Sequence, residues 1–140
     1  MSDLSIGTIF GTYSGIITSL GLTLGMYGGN LNKKAYIIGL ISIALSDSFS
    51  DAFGIYNATE YSLTETLYTF LGKFIFPLLM ILPFLLFNIR NAVIVNIIMG
   101  SIVIGIISSK QFRNINKVIK SLILTWIVIT IVYFAGLTIQ

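Results

Sequence analysis

Five long apolar stretches, at about residues 6–27, 35–58, 66–89, 92–107 and 118–139, are separated only by short polar turns. Each is long enough, or nearly so, for a helix to cross a hydrocarbon core of about 30 Å. Only 9% of the 140 residues are charged. A soluble domain carries about 25%, because its surface must stay wet. Too few charges remain here to cover a globule in water. The pattern predicts an all-α integral membrane protein, a five-helix bundle. It forms one transmembrane domain over residues 1–140, with no room for a soluble one.

The missing residue types exclude whole chemistries. There is no cysteine and no histidine. Disulfides, thiolate or imidazole metal sites and Cys/His nucleophiles are therefore ruled out. A metal would have to be held by oxygen, with a methionine sulfur as the one softer donor, which favours hard or borderline divalent cations. The net charge of +3 is small, and the basic residues sit in loops beside apolar spans. That placement suits anionic lipid headgroups and not nucleic acid. The opening Met1-Ser2-Asp3-Leu4-Ser5 has no basic region of a signal peptide, so the first apolar stretch is expected to be retained.

Two of the five acidic residues, Asp47 and Asp51, lie inside the second apolar stretch. At about 100° per residue, Asp47, Asp51, Gly54 and Ala58 form one helical stripe, with Ser46, Ser50 and Asn57 beside it. Leu45, Phe49, Ala52, Phe53 and Tyr56 fall on the opposite side. A carboxylate at mid-bilayer costs at least about 2.5–3.5 kcal/mol. Two on one stripe therefore require a partner, a water-filled cavity or a cation. An intramembrane aspartyl enzyme needs its two acids facing each other, normally from different helices, and no other catalytic set is present; the chain is read as not an enzyme.

Elsewhere the signals are structural first. Gly7, Gly11 and Gly15, then Gly21, Gly25 and Gly29, recur at fourfold spacing, which lets helix backbones approach closely. Ser62 and Glu65 form a capping-box pattern opening the third helix. Pro77 and Pro83 predict a kinked or interrupted third span. Asn96 and Met99, three residues apart, fit interhelical packing. Lys73 stands about as far after the second connection as Asp51 stands before it. If the two helices are neighbours, the two charges reach similar depth, and Lys73 either pairs with a second-span aspartate, snorkels to the interface or faces an open pathway. Lys33, Lys34 and Arg90 collect on one side; Lys110, Arg113, Lys117 and Lys120 collect on the other. The excess of positive charge places the N-terminus and the Lys110–Lys120 loop in the cytoplasm.

Span order, an Asp-bearing second helix ending in Gly-x-Tyr, and a proline-marked third helix together resemble the vacuolar iron transporter family. Gly15-Ile16-Ile17-Thr18 is similar to the family's Asp-Gly-Ile-Val-Thr stretch. The segment from Ala44 to Tyr56 is similar to its Ala-Asp-Gly-Leu-Ser-Met-Ala-x-Gly-Glu-Tyr stretch, and Pro77 to Pro83 is similar to its proline pair. Three positions differ: Ser14 stands where the family has Asp, Asp51 where it has Met, and Ile55 where it has Glu. The long acidic helices between spans two and three are absent, leaving Glu60 and Glu65, and Lys73 has no counterpart in the family pattern.

The resemblance implies a five-helix homodimer that moves Fe²⁺ or Mn²⁺ out of the cytosol against protons, along a path between protomers. In that arrangement Asp47 and Asp51 of two copies place four carboxylates around the dimer axis, and Ser14, Ser46 and Ser50 add neutral oxygen ligands. Crowded carboxylates cannot all ionise cheaply in a low dielectric, so protons and metal compete for them. No tightly bound cofactor is expected, only the transported cation. The rival expectation is a structural or regulatory membrane protein of the same fold that transports nothing. Its aspartates are neutralised by Lys73 and by hydroxyl groups.

Overall fold

A computed structural model describes residues 4–60 and 62–139. Met1, Ser2 and Asp3, on which the expectation of no leader rests, lie outside the described residues, as do Tyr61 and Gln140. All regular structure among the described residues is helical: α1 (Ile6–Gly28), α2 (Lys33–Ala58), α3 (Leu63–Leu79), α4 (Ile81–Leu86), α5 (Ile89–Gln111) and α6 (Ile115–Leu137). Together α3 and α4 make one crossing, so five spans are long and apolar enough for a membrane. The α5 span runs further at both ends than its apolar stretch suggested, because its last turns are built from polar residues that still complete the helix.

Side-chain caps fix most of the helix starts. Ser5, Asn32, Ser62, Asn88 and Asn114 each accept a hydrogen bond from a backbone N–H of the first turn. Asn30 and Glu60 take left-handed backbone angles, φ 53° and 50°, in the two connections that flank α2. The α3–α4 break falls at Met80, between the two prolines. The carbonyl of Met80 is not left bare; Asn96 Nδ2 on α5 donates to it at 3.0 Å. An interrupted third span was expected, and the structure has one.

The central helix is α1, which packs against α2, α3, α5 and α6. Its glycines explain how one helix serves so many neighbours. Gly11 and Gly15 lie against the α3 backbone: a methyl at Gly11 would stand 2.7 Å from the Thr69 carbonyl oxygen. Gly25 and Gly28 lie against Val132, Tyr133 and Gly136 of α6. The two glycine sets thus address two different helices, which is the close-packing role that small residues play where lipid gives no hydrophobic drive. Behind them, Ile16, Leu20, Leu40, Phe84, Ala92 and Ile104 form a fully buried core. Outside, large apolar side chains such as Phe49, Phe53, Leu86 and Ile131 are exposed, as a bilayer-facing surface requires.

Candidate functional site

The buried stripe of α2 runs Tyr36, Leu40, Ala44, Ser48 and Ala52, one residue per turn. Asp47 and Asp51 sit next to that stripe, on the flank turned toward α1. They are neither in the core nor fully outside it. Lys73 of α3 is in the core, its residue only 1% exposed. The Gly15–Gly72 approach brings α1 and α3 together at this level, so α1 presents Ser14 and Thr18 to the lysine head.

The result is a compact polar centre. Lys73 Nζ lies 3.0 Å from Asp51 Oδ2 and 3.2 Å from Asp47 Oδ2. It donates to Ser14 Oγ at 3.0 Å and lies 3.5 Å from Thr18 Oγ1. The Ser14 hydroxyl in turn donates to Asp51 Oδ2 at 3.3 Å, and Thr18 donates back to the Ser14 carbonyl at 2.7 Å. An ammonium has three protons to give, and here four oxygens compete for them. Asp51 lies seven residues from the end of α2 and Lys73 ten from the start of α3. The centre is therefore roughly 10–17 Å in from the α2–α3 connection along the two spans.

Its electrostatics are asymmetric. Two carboxylates face one ammonium, so the centre carries one uncompensated negative charge when all three are ionised. Lys73's side chain is sealed at 2% exposure, while those of Asp47 and Asp51 remain 35% and 28% exposed. The positive charge lies behind, and the negative charges look outward from the bundle. Burial of a charge is tolerated when it is paired and hydrogen-bonded, which Lys73 satisfies.

Of the expected ligands, the structure brings together Asp47, Asp51 and Ser14. Ser46 and Ser50 are exposed on the far flank of α2, and Ser46 spends its hydroxyl on the Ser42 carbonyl at 2.8 Å. Lys73 pairs with both aspartates and not just one. Thr18 was not singled out, although its place four residues after Ser14 puts it on the same face of α1. Among the described residues, no group of three or more His, Cys, Asp or Glu side chains gathers that could hold a metal ion. Glu65 follows only half of its expected pattern. Ser62 caps the Glu65 N–H, but the carboxylate turns to the Gly7 N–H and closes the N-terminus of α1. A groove of about 690 Å³ between α1, α2 and α6 is lined by Gly21, Gly25, Leu22, Met26 and Val132, with Thr18 also in its wall.

No known family model, curated protein or solved structure matches the chain.

Proposed function

We propose that the chain is a membrane carrier for a cation, with the Asp47–Lys73–Asp51 centre as its exchange site. One observation carries this reading: the aspartates stay about one-third open on the membrane-embedded face while the lysine that neutralises them is sealed. An excess of negative charge open toward lipid is costly unless something positive meets it. The cargo is a divalent cation of the Fe²⁺ or Mn²⁺ kind, matched to oxygen ligands, as the likeness of the sequence to vacuolar iron transporters suggests. A single protomer offers only two carboxylates and a competing ammonium. The reading therefore pairs two copies face to face across α1 and α2, giving four carboxylates on one axis and covering the exposed acids. Lys73 acts as a tethered competitor that the cargo displaces, and protons compete for the same oxygens. The N-terminus and the Lys110–Lys120 loop face the cytoplasm on this reading.

The test is flux into proteoliposomes, comparing Fe²⁺, Mn²⁺ and Mg²⁺ with and without a pH gradient. Wild type moves at least one of them, and Asp47→Asn with Asp51→Asn stops it. Flux that survives the double substitution contradicts the proposal.

A second reading is favoured by a specific contact. Because Lys73 reaches both aspartates and Ser14 at once, the centre also suits a purely structural role, as a three-helix ionic clamp in a protein that transports nothing. The two readings separate on wild-type flux alone: a clamp gives none, for any cation, at any pH.

A further inference from the structure

Among the described residues, three buried polar atoms have no hydrogen-bond partner: Thr23 Oγ1, Tyr36 Oη and Asn96 Oδ1. Their residues are at most 1% exposed. Thr23 differs from the two hydroxyls that precede it on its helix. Thr18 and Ser19 both donate back to carbonyls one turn earlier. Thr23 does not. The orientation of Asn96 is fixed by its neighbour, since the Met80 carbonyl can only accept, so the amide nitrogen points there and the oxygen is turned away.

These groups belong to one region. The helices α1 and α5 run antiparallel, with Tyr13 bonded to Ser108 and Gly100 packed on Leu20. That register sets Thr23 level with the turn that holds Asn96. Tyr36 of α2 packs its ring on Phe84 at 4.6 Å, one turn beyond the Met80 break that Asn96 ties down.

We propose that this end of the bundle interior, nearest Lys33, binds a small cluster of buried water held by Thr23, Asn96 and Tyr36. Leaving a buried polar group unsatisfied costs about 1–3 kcal/mol, and native interiors answer such groups with ordered water. A water needs two to four polar partners and about 10–15 Å³ of accessible room. It gives a proton to Asn96 Oδ1 and accepts one from a hydroxyl, which neither hydroxyl finds in the protein. A cation fits this place poorly. Its lining is neutral, and the nearest acid on α2, Asp47, lies eleven residues past Tyr36, about 16 Å along the helix. The inference stands apart from the transport proposal.

Thr23→Val and Tyr36→Phe each remove one hydroxyl with almost no change of shape. If water is held there, each lowers Tm of the purified protein in detergent by about 3–6 °C, because the remaining groups lose a bridge. If the hydroxyls are dry orphans, removing one relieves a penalty, and an unchanged or raised Tm in either variant overturns the proposal. An experimental structure at water-resolving resolution is the second measurement. Density within hydrogen-bond reach of Thr23 Oγ1 and Asn96 Oδ1 supports it, and dry apolar packing around them contradicts it.

Discussion

The backbone of Gly15 on α1 lies against that of Lys73 on α3. A methyl added at position 15 would stand 3.2 Å from Lys73 Cα and 2.7 Å from the Gly72 carbonyl oxygen. The lysine can meet Ser14, Thr18 and both aspartates because no side chain separates these two helices. The ionic centre is therefore a consequence of glycine packing as much as of the charges themselves.

Gly15→Ala is expected to destabilise the protein by about 1–3 kcal/mol, since backbone, not a flexible side-chain end, stands in the way. Gly54→Ala is the control. Nothing lies within 4 Å of a methyl there, so the change is expected to be neutral or stabilising by up to about 1 kcal/mol. Thermal unfolding of both variants in detergent checks the pair. Equal effects at the two sites would contradict the close packing described for α1 and α3.

Lys73→Met removes the one positive charge and leaves two carboxylates one turn apart. Breaking a buried ion pair costs about 3–5 kcal/mol; with the acids one-third open, about 2–4 kcal/mol is expected. Adding Asp47→Asn and Asp51→Asn to Lys73→Met should recover much of the loss, because no unpaired charge is left. Unfolding measurements on the single and triple variants decide this. A triple variant less stable than the single one would mean that the acids hold the fold through some other partner.

Glu65→Ala opens the first turn of α1. The carboxylate accepts from the Gly7 N–H, where the helix dipole favours negative charge. A loss of about 1 kcal/mol is expected, with faster hydrogen exchange confined to the first turn of α1. Faster exchange at the start of α3 instead would mean that Glu65 serves its own helix cap.

The five crossings and the broken third span were legible in the chain, because they follow from local rules of length and proline chemistry; helix rise put Lys73 at the depth of Asp51 but left its pairing as one of three outcomes, and the structure has the pairing. The facing of α2 was less so. Sequence placed Ala52 with Phe49 and Phe53, yet Ala52 is buried while Phe49 and Phe53 are exposed. In a membrane, apolar side chains serve core and lipid equally, so hydrophobicity cannot say which face is inside. The inward stripe is marked by small residues, Ala44, Ser48 and Ala52, which allow α2 to approach its neighbours. Ser46 and Ser50, read as neutral ligands beside the acids, lie on the exposed side of α2 and outside the Lys73 centre. The carboxylate of Glu65 was assigned to its own helix because the alternative acceptor site, 58 residues away at Gly7, exists only once α1 and α3 are packed.

The most direct measurement is equilibrium binding of Mn²⁺ to the purified protein, followed by the loss of its free-ion EPR signal. The account predicts saturable binding in wild type, tighter binding when Lys73→Gln removes the tethered competitor, and none when Asp47→Asn and Asp51→Asn are combined. Binding that is indifferent to Asp47 and Asp51, or absent even from the Lys73→Gln protein, would contradict it.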